Sequence, residues 1–161
     1  MSRVISTTGQ EAGGGAGSGT GATRSTAIET RGLADHPGAA ADPAPRVLAV
    51  VKDLFFVARI RETARLVGVP LEFVRSADEF AAALSSGARF VLLDLTGGVD
   101  YGAVFAALER VHASLRPPVL AYTTHALAKQ TQQWHPRCDR VVTKETLTQE
   151  LPVLLRDGLA R

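Results

Sequence analysis

Residues 90–95 read FVLLDL, an apolar run interrupted only by Asp94. A continuous apolar run of this length, in contrast to an alternating one, is typical of a strand that is covered on both faces. Two glycines, Gly97 and Gly98, end the run. We therefore predict a buried central strand over residues 90–95, with Asp94 near its carboxyl end.

Similar runs lie on both sides of this segment, and amphipathic stretches separate them. Further strands are predicted over residues 46–51, 70–74, 118–123 and 140–143. Helices are predicted over residues 52–67, from Ser76 to Leu84, from 101 to 115, from 125 to 135 and from 146 to 157.

Local signals mark several helix ends. Gly68 is expected to stop the first helix, and Pro136 the fourth. Ser76 with Glu79 three residues later predicts a capping box at the second helix. The fourth helix is short and poorly amphipathic.

Five repeats of strand and helix with short links predict an α/β fold, a doubly wound parallel sheet with helices on both faces. In such folds the functional groups lie beyond the carboxyl ends of the strands. The polar residues at those ends are Lys52, Asp53, Asp94, Thr123, Thr124, Thr143 and Lys144.

The first 45 residues have a different composition. They hold nine of the 15 glycines and no aromatic residue, with much Ala, Ser and Thr. Few groups there could bury apolar area, while ordering each backbone residue costs about 1–2 kcal/mol of entropy. We predict a disordered leader over residues 1–45 and one domain over residues 46–161.

Several classes of protein are excluded or disfavoured. No run of eighteen apolar residues exists, so no membrane-spanning helix is expected, and no secretory signal is recognisable, so a cytoplasmic location is expected. The single cysteine, Cys138, excludes a disulfide framework. A net charge of +2 is too small to argue for nucleic acid. No hydrolase or dinucleotide motif is present, so no catalytic residue is assigned and no enzymatic activity is expected.

The order and spacing of these motifs over residues 46–158 resemble the receiver domain of two-component response regulators. Asp94 resembles the phosphoacceptor at the end of the third strand. Thr123 resembles the hydroxyl residue that senses the phosphoryl group, and Lys144 the lysine that pairs with it. The resemblance implies a flavodoxin-like sheet of order 2-1-3-4-5 and a role in a phosphorelay or a related signalling pathway.

Other positions depart from the receiver pattern. Receivers carry an acidic pair after the first strand, which helps to hold Mg²⁺, and Val51 and Lys52 stand in its place. Asp53 is an acid one position later. The aromatic switch position holds Val141, and Glu145 follows the lysine where receivers have proline.

These departures suggest a hypothesis for the charge balance of the site. Lys144 and Lys52, if they lie near Asp94, would give its carboxylate a cationic partner without a metal. No metal or other cofactor is then expected, and Asp53 and Asp94 are the only candidate magnesium ligands. The chain would be an atypical receiver, or pseudo-receiver, that does not turn over phosphoryl groups.

Three functions remain open. The first is a stand-alone pseudo-receiver that contacts a histidine kinase or an effector through its fourth helix, fifth strand and fifth helix, a face that could also form a homodimer. The second is a response regulator phosphorylated on Asp94 with magnesium. The third is a small-molecule-binding or enzymatic flavodoxin-like domain.

The start of the first helix is unusually apolar. Residues 54–56 read LFF, which indicates either core packing or a patch for a partner. Arginines make the same part of the chain basic; they are Arg59, Arg61, Arg65, Arg75 and Arg89. A run of charge is usually a solvated face, so binding of nucleic acid is not expected here.

Overall fold

The structure is a computed structural model, and it describes Gly15 and residues 45–159. The predicted disorder of residues 1–45 therefore falls almost entirely outside the described residues. In the part of the chain that is described, no helix is both long and apolar enough to cross a membrane.

Five strands and five α-helices alternate over residues 45–159. The strands are β1 Val47–Val50, β2 Leu71–Val74, β3 Phe90–Asp94, β4 Val119–Thr123 and β5 Arg140–Thr143. The helices are α1 Leu54–Val67, α2 Ala77–Leu84, α3 Tyr101–Arg110, α4 Ala128–Thr131 and α5 Lys144–Asp157. All strand pairs are parallel, in the order β2-β1-β3-β4-β5, which confirms the predicted fold class and strand order.

The core consists of two layers, one on each face of the sheet. Because successive side chains of a strand point to opposite faces, Leu93 packs under α2 and α3 whereas Leu92 packs under α1 and α5. All five residues of β3 are buried. The continuous apolar run at residues 90–95 is therefore explained by cover on both faces.

The predicted signals at two helix ends are confirmed in most respects. Gly68 ends α1 in the left-handed conformation, with φ of 70°, which favours glycine. At α2 the Ser76 hydroxyl accepts a hydrogen bond from the Glu79 N–H at 3.1 Å. The Glu79 carboxylate accepts from the N–H of Arg75 at 2.8 Å, one residue before the cap, so the box closes one residue earlier than expected.

The third and fourth helices differ from the prediction in their extent. The third helix stops at Arg110 instead of residue 115, because Val111 is extended and Leu115 is exposed to solvent. The predicted helix over residues 125–135 is a broken segment, in which 3-10 turns over His125–Leu127 and Gln132–Arg137 flank the single turn of α4. Pro136 lies inside the last turn and does not end it.

Two helix starts also differ from the prediction. The first helix begins at Leu54, with Asp53 as its N-cap, instead of at residue 52. The fifth begins at Lys144, two residues earlier than predicted, because the Thr143 hydroxyl caps it by accepting from the Thr146 N–H at 3.2 Å. Both shifts place polar residues of the carboxyl edge at helix N-termini.

Candidate functional site

The carboxyl edge of the sheet brings the predicted site residues to one end of the domain. Asp94 and Thr123 are the last residues of β3 and β4, which are neighbours in the sheet. Lys52 and Asp53 follow β1, and Lys144 follows β5. Parallel strands place these positions together, as expected for a doubly wound fold.

Asp94 is buried, with 2% of its surface exposed. Its Oδ1 accepts hydrogen bonds from the backbone N–H of Thr96 at 2.8 Å and from the Thr96 hydroxyl at 2.6 Å. Among the residues that the structure describes, Oδ2 has no hydrogen-bond donor. The carboxylate is thus held by its own loop through Oδ1, and the Tyr122 side chain lies beside it on the neighbouring strand.

The acidic-pair positions of receivers are occupied here by Val51 and Lys52, and both side chains make contacts within the domain. Val51 is 2% exposed and belongs to the core layer under α1 and α5. Lys52 is exposed, and its Nζ donates to the carbonyl oxygen of Gly98 at 3.3 Å. One position therefore supports the core, and the other tethers the loop that follows β3.

Lys144 pairs with Asp53 and not with Asp94. Its Nζ lies 2.7 Å from Asp53 Oδ2 and 4.7 Å from the centre of the Phe56 ring. None of the ion pairs among the described residues includes Asp94. The expected balance of Asp94 by Lys144 or Lys52 is thus not found, because Asp53, as the cap of α1, meets the first residue of the adjacent α5.

Asp53 is fixed by three donors. Its Oδ1 accepts from the N–H groups of Phe55 and Phe56 at 3.0 and 3.2 Å, while Oδ2 accepts from Lys144. The bond from Lys144, followed by that from Phe56, lowers the pKa of this carboxyl below its ordinary value of 3.8. Asp53 therefore acts as a capping residue and as the partner of Lys144.

Thr123 takes part in a buried network with the α4 segment. Its Oγ1 lies 3.1 Å from Oγ1 of Thr131, which is 3.0 Å from Nε2 of His135. Both threonines are buried, with 4% and 5% of their surfaces exposed. The hydroxyl at the sensing position is therefore already engaged by the protein, through a residue of α4 that sequence reasoning had not singled out.

Val141 lies on β5 and packs against the core layer under α2 and α3. An aromatic cluster covers part of this layer: the Trp134 ring stacks on Phe105 at 5.7 Å between centroids and meets Tyr101 at 5.8 Å. The cluster was not predicted, because its rings belong to two separate segments, α3 and the 3-10 turn that follows α4, which come together only in the folded chain.

Tyr122 is a second residue that sequence reasoning missed. It pairs in register with Asp94 on the neighbouring strand, so the two side chains lie on the same face. Its hydroxyl is buried and has no hydrogen-bond partner among the described residues. Burial, followed by the negative charge of Asp94, raises the pKa of this hydroxyl, which therefore remains protonated.

The donors at this edge do not fit a receiver-type magnesium site. Mg²⁺ prefers oxygen ligands and is usually held by one or more carboxylates with water. The Val51 side chain has no oxygen atom, and the Asp53 carboxylate is occupied by Lys144 and two N–H groups. Within residues 45–159, no group of three or more His, Cys, Asp or Glu side chains is arranged to hold a metal.

We predict that Asp53→Asn lowers the free energy of unfolding at neutral pH by about 1 kcal/mol or less, because the partly exposed ion pair is lost while asparagine keeps the cap. The pKa of Asp53 is lowered by folding, so this stability is present above pH 3.8 and is lost as the pH falls through the folded pKa. The difference between wild type and variant should therefore shrink below pH 3.8. Urea titrations across pH measure it, and a difference that grows in acid contradicts this role.

No protein-family model and no curated protein matches the chain. Several solved structures match it. A response regulator from Hahella chejuensis superposes with a TM-score of 0.61 at 19% identity, over 73% of this chain and 96% of that one. A receiver domain from Bermanella marisrubri gives 0.59 at 21% identity, over 71% and 98%.

The receiver domain of NtrX from Brucella abortus gives a TM-score of 0.57 at 19% identity, over 70% of this chain and 97% of that one. The overlap thus takes in nearly the whole of each of these proteins, and the strand order agrees. The chain therefore has the flavodoxin-like fold of response-regulator receiver domains.

Proposed function

We propose that this chain is an atypical receiver-like signalling module, which acts by contact with other proteins and without magnesium-dependent phosphorylation of Asp94. The observation that carries the proposal is the occupation of the acidic-pair positions by Val51, a core residue, and Lys52, a loop tether. We assign no catalytic residue and no cofactor to it.

The chemistry of phosphorylation supports this proposal. Attack of a carboxylate on a phosphoryl donor develops negative charge that a bound metal normally neutralises. Here Lys144, the cation that resembles the phosphoryl partner of receivers, is paired with Asp53 at 2.7 Å. Formation of a phosphoryl group on Asp94 would require that pair to break, with no metal to compensate.

The contact between the hydroxyls of Thr123 and Thr131 supports the proposal that the domain is held in one conformational state. In a receiver this position senses the phosphoryl group, whereas here its hydroxyl lies 3.1 Å from that of Thr131 in the α4 segment. We propose that a histidine kinase or an effector reads this fixed surface. The α4 segment, β5 and α5 would provide the contact, or the interface of a homodimer.

The second candidate function is a response regulator phosphorylated on Asp94. In its favour, the Oδ2 atom of Asp94 has no hydrogen-bond donor among the described residues. This candidate needs a metal site built from Asp94 and water, with Asp53 released from Lys144.

Magnesium titration by calorimetry separates the two candidates. We expect no micromolar binding to the wild-type chain, because a single available carboxylate is a weak site for Mg²⁺. The double variant Val51→Asp, Lys52→Asp, checked for folding by circular dichroism, serves as the gain-of-binding control. Micromolar binding to the wild type that is lost in Asp94→Asn would overturn the proposed function.

A further inference from the structure

A groove runs between α1 and β2, the strand at one edge of the sheet. It consists of two adjoining cavities of about 370 and 520 Å³, both lined by Arg61, Phe73 and Arg75. Lys52 and Leu54 line one end and Val69 the other. The groove thus follows the whole of β2, whose four residues extend roughly 13 Å at about 3.3 Å each.

The groove carries positive charge that no ion pair among the described residues neutralises. None of the ion pairs among the described residues includes Lys52, Arg61 or Arg75. The Arg61 guanidinium lies over the Phe73 ring, 5.3 Å from its centre. Glu72, the one acidic residue among the described residues that line the groove, is paired with Arg46.

Apolar surface continues beyond the Lys52 end of the groove. Leu54 and Phe55 are 74% and 92% exposed, whereas the neighbouring Phe56 is buried. Phe56 at the apolar start of the first helix therefore packs in the core, whereas the side chains of Leu54 and Phe55 are exposed. Exposed apolar side chains beside charged ones are typical of interaction sites.

We propose that this groove binds an extended acidic peptide segment of a partner protein. Its carboxylates would meet Lys52, Arg61 and Arg75, and an aliphatic or aromatic side chain would pack on Phe73 and Leu54. The length of the groove along an edge strand favours an extended chain, because the outer backbone groups of β2 have no neighbouring strand in the sheet.

This inference rests on one part of the proposed function, namely that the chain acts by contact with other proteins. It names a class of partner for that contact. Lys52, which lines the groove, also contacts the loop after β3, because its Nζ donates a hydrogen bond to the Gly98 carbonyl oxygen. A peptide carboxylate that captures Lys52 would release this bond. Binding of a peptide in the groove would in this way change the contacts of the loop next to Asp94.

The test is selection of peptides from a random display library on the full chain, followed by fluorescence anisotropy with the selected peptides. We expect a consensus rich in Asp and Glu with one large apolar residue. Arg61→Glu and Arg75→Glu should each weaken binding roughly tenfold or more, because each places a like charge against the peptide. Both arginines are exposed, so folding should be retained, and circular dichroism checks it.

The matched control is Arg59→Glu, the same charge reversal on the other flank of α1, where Arg59 lines a cavity with Lys144 and Glu145. Its effect should be less than about twofold. A selection that yields no acidic consensus, or equal losses in all three variants, would overturn the inference. Displacement of the peptide by a single-stranded oligonucleotide, with the same dependence on Arg61, would reassign the groove to nucleic acid and overturn it as well.

Magnesium titration of the wild-type chain, run beside the peptide assay, separates the two proposals. If the wild-type chain proves to bind magnesium and the peptides still bind through Arg61 and Arg75, the proposed function fails and the groove stands. If no peptide binds through Arg61 and Arg75, the inference about the groove fails, and the proposal that Asp94 is not phosphorylated with magnesium is unaffected.

Discussion

Leu92→Ala is expected to lower the free energy of unfolding by about 2–5 kcal/mol, the cost of a cavity in a well-packed core. Leu92 lies in the central strand β3, is fully buried, and belongs to the layer under α1 and α5 together with Leu120 and Tyr122. The strand has neighbours on both sides, so the backbone has little freedom to collapse into the space.

Urea unfolding followed by circular dichroism measures this loss. The matched control is Leu66→Ala on α1, a residue with 69% of its surface exposed, and its effect should stay within about 0.5 kcal/mol. Equal losses in both variants would contradict the arrangement of the core described above.

Tyr122→Phe is expected to raise the free energy of unfolding by about 1–3 kcal/mol, because a buried donor without a partner carries a desolvation cost of that order. The ring itself is well packed, with its centre 5.0 Å from that of Phe56, and phenylalanine keeps this contact. Only the unpartnered hydroxyl beside Asp94 is removed.

Tyr101→Phe is the opposite case and serves as the control. The Tyr101 hydroxyl donates to the backbone carbonyl of Asp94 at 2.8 Å and accepts from the Gly98 N–H at 3.1 Å. Its removal should lower the free energy of unfolding by about 1 kcal/mol or more. A loss of stability in Tyr122→Phe would show that its hydroxyl has a partner, and would contradict the description of the site.

The fold could be predicted from the sequence because its signals are local. The strands β1, β3 and β4 are largely apolar segments of four or five residues. Gly68 and Ser76 mark helix ends by chemistry that acts within a few residues. The segment over residues 125–135 could not be predicted in the same way. Its weak amphipathic pattern does not distinguish one helix from the sequence of 3-10 and α turns that is found.

The sequence predicts which residues lie at the site, but it does not predict which of them pair with each other. The edge positions of Asp94, Thr123 and Lys144 follow from strand order, whereas the partner of Lys144 depends on where two helices begin. Asp53 caps α1 and Lys144 opens α5, and a shift of one residue in either helix would change their distance. Register across two strands, which no local pattern reveals, places Tyr122 beside Asp94.

Intact-mass spectrometry after incubation with acetyl phosphate and magnesium tests the central claim most directly, with Asp94→Asn treated in parallel and circular dichroism to show that both chains are folded. The expected result is no gain in mass in either chain, because Lys144 is paired with Asp53 and the acidic-pair positions hold Val51 and Lys52. A gain of about 80 Da, one phosphoryl group on a carboxylate, in the wild type and not in Asp94→Asn would contradict the account.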